Sequence, residues 1–175
     1  MAKSMWEDVF EWCLKNTNIL DATDDKHRGS LLHFASMKGY TPIVTKLLAK
    51  GVKVDLEDKV GNTCLHVATS KNKSRVAEIL IRNGANVNCE GAEKKRPIHH
   101  SVMDNNLEIT KLLVKKGADV DPQDDNDVTP LNIAAANGYK ELLLFLLENG
   151  AQYNNAFSPL KYLFITLLFP YSRAH

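Results

Sequence analysis

The stretch TCLHVA at residues 63–68 decides the fold, because its pattern returns at a fixed interval along the chain. Its counterparts at this constant interval are SLLHFA at 30–35, RPIHHS at 96–101 and TPLNIA at 129–134. A second landmark keeps the same interval and appears as GVKVD from Gly51, GANVN from Gly84, GADVD from Gly117 and GAQYN from Gly150. Two unrelated landmarks with one period indicate an internal repeat, whereas a catalytic constellation is normally assembled once per domain.

His66 lies two residues from Cys64, so this stretch alone could serve a metal site, a nucleophile with its base, or the scaffold. The histidine recurs at His33 and His99, which favours the scaffold role, with ring nitrogens bonded to backbone near a turn. In the fourth copy Asn132 takes its place, and an amide keeps hydrogen-bonding capacity but cannot act as a general base.

Each copy predicts a short helix that begins after a residue such as Thr63, whose hydroxyl can accept a hydrogen bond from a backbone N–H in the first turn. A small residue inside this helix allows a neighbouring helix to approach closely; the four are Ala35, Ala68, Ser101 and Ala134. The helix is predicted to stop at Gly or Asn, the residues that tolerate left-handed backbone. These stops are Gly39, Asn72, Asn105 and Gly138.

A second helix follows in each copy, with an apolar stripe that faces one side. The stripe residues are Ile43, Val44, Leu47 and Leu48, then Val76, Ala77, Leu80 and Ile81, then Ile109, Leu113 and Val114, then Leu142, Leu143, Leu146 and Leu147. These helices are shorter than the roughly 12–15 residues that an isolated helix needs in water. We therefore expect the copies to stack and bury their stripes against one another.

The period of about 33 residues and the T-P-L-H-x-A pattern resemble the ankyrin repeat family. The resemblance implies an all-α solenoid with short β-hairpin loops, four full helix-turn-helix repeats and terminal capping helices. The predicted boundaries are a capping helix or degenerate half-repeat at 1–24, repeats 1 to 4 at 25–57, 58–90, 91–123 and 124–156, and an apolar cap or truncated fifth repeat at 157–175.

Composition favours an intracellular protein, in the cytoplasm or the nucleus. The 175 residues are 44% hydrophobic and 25% charged, which is ordinary for a globular domain. The three cysteines form no C-x-x-C pair, which suits free thiols in a reducing compartment. The first twelve residues, MAKSMWEDVFEW, are acidic and lack the apolar core of a signal peptide. A net charge of +1 predicts no bulk attraction to nucleic acid or to an acidic membrane.

The motifs of catalysis are missing from the sequence, which has no phosphate-binding glycine loop, no H-E-x-x-H and no G-x-S-x-G. His99 and His100 are the nearest approach to a metal pair, but adjacent residues on a helix do not face each other. We therefore expect a protein that is not an enzyme and that needs no cofactor or metal.

The two ends depart from the repeat. Residues 4–16 predict an amphipathic helix that caps the first repeat or, alternatively, binds a partner. Residues 162–169, YLFITLLF, are apolar on all sides but too short for the roughly 20 residues of a transmembrane helix. They predict a C-terminal cap, a surface for a partner or for self-association within 157–169, or the stub of a longer array. We expect a monomer unless that surface self-associates.

The ankyrin resemblance implies that a protein partner binds the concave side, formed by the loop tips and the first helices. The positions that it maps here are Lys26, His27, Met37, Lys38, Lys59, Val60, Asn62, Ser70, Lys71, Ala92, Glu93, Lys95, Met103, Asp104, Asp125, Asn126, Val128, Ala136 and Asn137. We call this set the predicted concave face. Its apolar members Met37, Val60, Met103 and Val128 are candidate anchors for a partner.

Charge along the repeats is uneven, because repeats 1 to 4 carry +3, +2, +1 and −4, and residues 1–24 carry −3. One interpretation is that this gradient orients a partner of opposite polarity, since complementary fields set specificity and association rate. The alternative is that solvated charge keeps an apolar stack soluble.

The sequence therefore predicts a non-catalytic protein-interaction module, acting as an inhibitor or adaptor. The alternative is a targeting domain or fragment of a larger ankyrin-containing enzyme, channel or toxin. One modification is also predicted, since Asn88, preceded by Val87 and with Leu80 upstream, resembles the asparagine-hydroxylation context of ankyrin repeats, although Asn86 replaces the preferred Asp.

Overall fold

The computed structural model describes residues 29–152 and, before them, Trp12 and Lys15. Residues 29–152 form eight α-helices: α1 Leu31–Lys38, α2 Thr41–Ala49, α3 Cys64–Ser70, α4 Ser74–Arg82, α5 Pro97–Met103, α6 Leu107–Lys115, α7 Pro130–Ala136 and α8 Lys140–Glu148. A 3₁₀ turn at Ala92–Lys94 precedes α5. The expected all-α solenoid of helix pairs is confirmed.

The helices stack in two rows. The first helices of each pair, which we call inner helices, pack in the order α1, α3, α5 and α7, and the outer helices pack in the order α2, α4, α6 and α8. Each inner helix also packs on the outer helix that follows it. Neighbouring pairs therefore bury one another's apolar stripes, which none of these short helices could do alone.

The loops between pairs contain no β-strand within residues 29–152. They are short turns, and the three that precede α3, α5 and α7 are each closed by a backbone hydrogen bond. The bonds run from Asp58 N to Asn62 O (2.9 Å), from Gly91 N to Lys95 O (2.9 Å) and from Asp124 N to Val128 O (3.1 Å). The β-hairpin loops expected from the sequence thus consist of a turn without paired strands.

Helix ends follow the sequence prediction closely. The four residues predicted to stop the inner helices all have left-handed backbone, with φ of 76° at Gly39, 54° at Asn72, 52° at Asn105 and 71° at Gly138. Pro residues occupy the first turn of α2, α5 and α7, where the missing N–H is no loss. The chain therefore reverses at the same place in every repeat.

The core lies between the two rows of helices. Leu32, Leu65, Ile98 and Leu131, which hold the same repeat position on successive inner helices, are almost completely buried. The predicted stripe of the outer helices is buried in each repeat except at its last residue, which is half-buried, as at Leu48. Burial of such side chains contributes about 1.5–3 kcal/mol each.

Repeat 3 adds a polar contact to this core. Ser101 replaces the inner-helix alanine, and its hydroxyl lies 2.9 Å from the hydroxyl of the buried Thr110 on α6. Ser101 also donates to Ile98 O, and Thr110 donates to Asn106 O. Both hydroxyl protons are satisfied locally, so this substitution adds no unpaired donor to the core.

Several predictions about the ends lie outside the described residues. Trp12 and Lys15 are helical and exposed, while the rest of the predicted 4–16 helix falls outside the described part. The cap or fifth repeat predicted at 157–175, and the self-association surface at 157–169, also fall outside it. The repeat boundaries stay predictions.

Candidate protein-binding surface

The loop tips are fixed in space by histidines on the inner helices. In His66, Nδ1 accepts the backbone N–H of Thr63 at 3.1 Å, so the ring proton is on Nε2, which donates to Lys95 O at 3.0 Å. Lys95 belongs to the loop of the next repeat. His66 thus caps its own helix and holds the following loop, as the scaffold interpretation predicts.

The same arrangement recurs along the stack. His33 Nδ1 accepts Ser30 N–H at 3.2 Å, and its Nε2 donates to Asn62 O at 3.0 Å. In repeat 3, His99 reaches Val128 O at 3.2 Å. In repeat 4 the amide oxygen of Asn132 accepts Thr129 N–H at 3.0 Å, so it keeps the capping half of the role.

Burial holds these imidazoles in the neutral form. Desolvation lowers the pKa of His66 to about 4, and it also lowers the pKa values of His33 and His99. His100 lies edge to face with His66, with ring centroids 5.9 Å apart, and burial lowers its pKa to about 4. Because Nδ1 must accept a backbone N–H, only neutral histidine fits at positions 33, 66 and 99.

A second set of contacts links the same successive loops closer to the ends of the outer helices. Asp55 accepts the backbone N–H of Asn86 (3.1 Å), and one repeat later Asn88 accepts that of Asp119 (2.9 Å). Asp121 continues the series by accepting the N–H of Gln152. Asn88 also donates to Gly117 O at 3.0 Å, so both ends of its carboxamide hold the next loop. Its hydroxylation stays a prediction.

The loop tips of repeats 2 and 4 are built alike. Asp58 Oδ1 accepts the backbone N–H groups of Val60 (3.0 Å) and Asn62 (2.9 Å). Asp124, at the same position two repeats later, accepts those of Asn126 and Val128 in the same way. Although burial opposes the charge of Asp124, these two hydrogen bonds lower its pKa. Each aspartate thus shapes its own loop.

Repeat 3 lacks this aspartate and is shaped by its neighbours. Gly91 stands in its place, and the N–H of Ala92 is accepted instead by the side chain of Asn62 from the preceding repeat at 3.1 Å. Glu93 and Lys94 at the tip both have positive φ, 57° and 51°. Besides its own backbone bond between Gly91 and Lys95, the third tip is therefore held by Asn62 of repeat 2 and by the backbone N–H of Asp125 in repeat 4, which donates to Glu93 O.

Ion pairs join the tips of repeats 3 and 4. Lys94 lies 3.4 Å from Asp125, while the half-buried Lys95 pairs with Glu93 and lies 3.6 Å from Asp124. The hydrogen bond to Glu93 raises the pKa of Lys95. Because these charges neutralise one another in pairs, the predicted site residues Glu93, Lys95 and Asp125 offer less free charge than the sequence count implies.

The residues of the predicted concave face that the structure describes are all exposed or half-buried. The exposed ones are Lys38, Lys59, Val60, Lys71, Glu93, Met103, Asp104, Asp125, Asn126, Ala136 and Asn137. The half-buried ones are Met37, Asn62, Ser70, Ala92, Lys95 and Val128. Lys26 and His27 lie outside the described residues.

A groove lies between the third loop and α5 on one side and the fourth loop and α7 on the other. Its volume is about 350 Å³, and five of its lining residues belong to the predicted concave face: Lys95, Met103, Val128, Ala136 and Asn137. The structure therefore brings these residues together in one depression. Two of the candidate anchors are the most exposed large apolar side chains of residues 29–152, Val60 at 50% and Met103 at 46%.

Sequence reasoning missed several residues of this surface, among them Asp124 and Asn132, which also line the groove. Ile133 lines the groove from the middle of α7, and Lys94 and Asp127 stand exposed at the third and fourth loop tips. Ile133 could have been found from the sequence, because it directly follows the motif position that holds histidine in the other repeats, and the residue there differs in every repeat. Asp127 has φ of 59° at the place where Gly61 has 87°, so the repeat register could have marked it as the tip of a turn.

Other kinds of site find no support among residues 29–152, Trp12 and Lys15. No group of three or more His, Cys, Asp or Glu side chains in this part of the chain is placed to hold a metal ion. Cys64 is buried and Cys89 is half-buried, and burial raises the pKa of both thiols. No helix in the described part has both the length and the apolar character needed to cross a membrane.

Comparison with known proteins agrees with the geometry. The family model for ankyrin repeats (3 copies) matches residues 2–91 and 72–156. This chain belongs to the ankyrin repeat family. A search of curated proteins found no match. Ankyrin repeats are generally protein–protein interaction modules, and the fold is typically non-catalytic.

Proposed function

We propose that this ankyrin repeat protein binds a protein partner on its predicted concave face, as an inhibitor or adaptor without catalysis of its own. The observation that carries the proposal is the groove between the third and fourth repeats, where an exposed methionine meets residues that the ankyrin resemblance assigns to this face. Exposed apolar side chains surrounded by polar ones are typical of protein interfaces.

The gradient of charge along the repeats makes the two ends of this surface electrostatically different. Lys38 and Lys71 occupy the same place on α1 and α3, and Asp104 and Asn137 occupy it on α5 and α7. All four residues are exposed. Since packed helices lie about 8–10 Å apart, the sign changes within one helix spacing. A partner that presents acidic residues to repeats 1 and 2 would therefore bind in one orientation.

Affinity capture from source-cell lysate, followed by mass spectrometry, tests the proposal. The bait is the full chain, compared with the double variant Lys38→Glu with Lys71→Glu. A matched control reverses two exposed lysines at the ends of outer helices, Lys50→Glu with Lys116→Glu, which changes net charge equally on another surface.

We expect the partner to be lost with the first pair of substitutions and kept with the second, with the difference shrinking as salt is raised. Equal capture by all three baits at low salt would contradict the proposal. A fourth bait, residues 1–156, tests the tail, and a partner lost only with this truncation would move the binding site to the apolar C-terminal segment and contradict the proposal.

A further inference from the structure

The groove between α5 and α7 has an apolar floor. Met103, Val128, Ile133 and Ala136 line it, and Met103 is 46% exposed. A side chain buried among such residues gains roughly 25 cal/mol for each Å² of apolar surface removed from water. The floor is therefore suited to one aliphatic side chain.

The preceding step of the stack, between α3 and α5, does not repeat this floor. The residues one repeat before Met103, Val128 and Ile133 are Ser70, Lys95 and His100. Three polar side chains thus replace three apolar ones in the same register. The step between α1 and α3 is also mixed, because Met37 and Val67 are accompanied there by Asn62 and Ser70.

The charges around the groove are mainly negative. Lys94 and Lys95 are each paired with carboxylates of the third and fourth loops. The surrounding acidic residues are Glu93, Asp104, Asp124, Asp125 and Asp127, which leaves a net charge of −2 after Lys94, Lys95 and Lys71, whose charge acts on Asp104, are counted. This rim attracts cationic groups and repels phosphate groups.

We propose that the groove between α5 and α7 is the anchor pocket of the binding surface, and that its occupant is a basic protein segment with one aliphatic side chain in the pocket. Lys or Arg residues beside that side chain meet the carboxylates of the rim. The inference rests on the proposed function and adds to it the place of the anchor and the chemistry of the ligand. Nucleic acid and anionic membranes do not fit, because their phosphates meet like charge.

Methionine methyl NMR tests the pocket directly, because the sequence has only four methionines. Met103 reports the proposed pocket, and Met37 reports the equivalent place on α1. The probe is a short synthetic peptide with Leu between two Lys residues in a Gly-Ser host, titrated into the full chain labelled with ¹³C at the methionine ε-methyl groups. Control peptides replace Leu with Ser, or both Lys with Glu.

We expect the Lys-Leu-Lys peptide to shift the Met103 signal in a saturable way and to leave the Met37 signal in place. Either control peptide should produce much smaller shifts. An equal shift at Met37, or equal binding of the Glu peptide, would overturn the proposal. A larger Met103 shift with a DNA duplex or with phosphatidylserine vesicles would overturn the assignment to a protein segment.

Two substitutions locate the contact by affinity. Met103→Ser should weaken peptide binding about tenfold, whereas the matched Met37→Ser should leave it unchanged. Ile133→His introduces at position 133 the residue found one repeat earlier, at His100. Because it makes the groove more polar, it should also weaken peptide binding. Circular dichroism confirms that each variant is folded. Equal affinities for the Met103 and Met37 variants would show that the groove is not the anchor.

Failure of the pocket proposal can be distinguished from failure of the proposed function. A cellular partner that is lost with Lys38→Glu and Lys71→Glu but kept by Met103→Ser would support binding on the predicted concave face and overturn the pocket. Peptide binding at Met103 without any charge-dependent partner would support the pocket and contradict the wider proposal.

Discussion

Asn72 and Asn105 adopt the left-handed backbone that glycine supplies in repeats 1 and 4, with φ of 54° and 52°. Only glycine enters this region without a Cβ penalty, although it loses more entropy on folding. We expect Asn105→Gly to raise the free energy of unfolding by about 0.5 kcal/mol, measured by urea denaturation.

The matched substitution at Asn72 should do less. The side chain of Asn72 accepts a hydrogen bond from Asn106, which is the N-cap residue of α6. Asn72→Gly removes this bond as well as the strain, so the two effects offset each other. A larger gain at position 72 than at position 105 would show that the bond contributes nothing.

His66 allows its two roles to be separated, because Asn132 shows what an amide does at the same place. His66→Asn should keep the cap on Thr63 but lose the bond to Lys95 O, at a cost of about 1 kcal/mol. His66→Ala leaves the Thr63 N–H without its ring acceptor and removes one of the two donors to Lys95 O, so it should cost about 2–4 kcal/mol. Thermal and urea unfolding of the two variants measure the difference.

The relative stability of the Asn and Ala variants shows which of the two contacts of His66 stabilises the protein more. If the Asn and Ala variants were equally destabilised, the cap would contribute nothing and the contact between repeats would carry the whole effect. The sequence predicted the scaffold role of this histidine from its recurrence. It could not predict which carbonyl in the next loop the ring reaches, because that depends on how neighbouring repeats pack.

At the scale of the loop, Gly91 shows where the repeat pattern misleads. The register calls for the aspartate found at Asp58 and Asp124. However, a Cβ at Gly91 would lie 2.5 Å from Asn62 Oδ1 and 2.9 Å from His66 Nε2. Both atoms are engaged in hydrogen bonds between repeats and cannot move without breaking them.

We therefore expect Gly91→Asp, which restores the repeat pattern, to destabilise the protein by about 1–3 kcal/mol. Gly91→Ala should cost nearly as much, since the Cβ itself causes the clash. Urea denaturation of both variants checks this. A stabilised Asp variant would mean that the third loop can close on its own aspartate, as the second and fourth loops do.

The helices were predictable because one recurring pattern specifies each inner helix. A capping residue such as Thr63 precedes the helix, and a residue that tolerates left-handed backbone, such as Asn72, follows it. The site was predictable only in part. The ankyrin resemblance assigned Met103 and Val128 to one face, but Ile133 joins them in the groove through the packing of α5 against α7. The ion pairs of Lys94 and Lys95 depend on the shape of the third loop, which no local signal in repeat 3 specifies.

For the whole molecule, the buried histidines link stability to pH. His33, His66, His99 and His100 all have lowered pKa values in the folded protein, near 4 for His66 and His100, against about 6.5 in an unfolded chain. Between these values the unfolded state binds more protons. The contribution is therefore fully present above about pH 6.5 and is lost as the pH falls towards 4.

We expect the free energy of unfolding to fall between pH 6.5 and pH 4.5, by up to about 1.4 kcal/mol per pH unit for each histidine that titrates. The raised pKa values of Asp104 and Asp121, caused mainly by burial, act in the opposite direction in the lower part of this range. Urea denaturation across the range measures the slope.

His100 provides the control that separates titration from lost contacts. Its Nε2 is buried with no hydrogen-bond partner, and Ile133 occupies the same place in repeat 4. His100→Ile should therefore stabilise the protein and reduce the slope of stability against pH by the share of one histidine, with no backbone contact removed. His66→Asn also removes a titrating ring but breaks the bond to Lys95 O, so it should reduce the slope while lowering stability at pH 7. If the slope of unfolding free energy against pH were unchanged in both variants, groups other than the buried histidines would be responsible for the acid sensitivity.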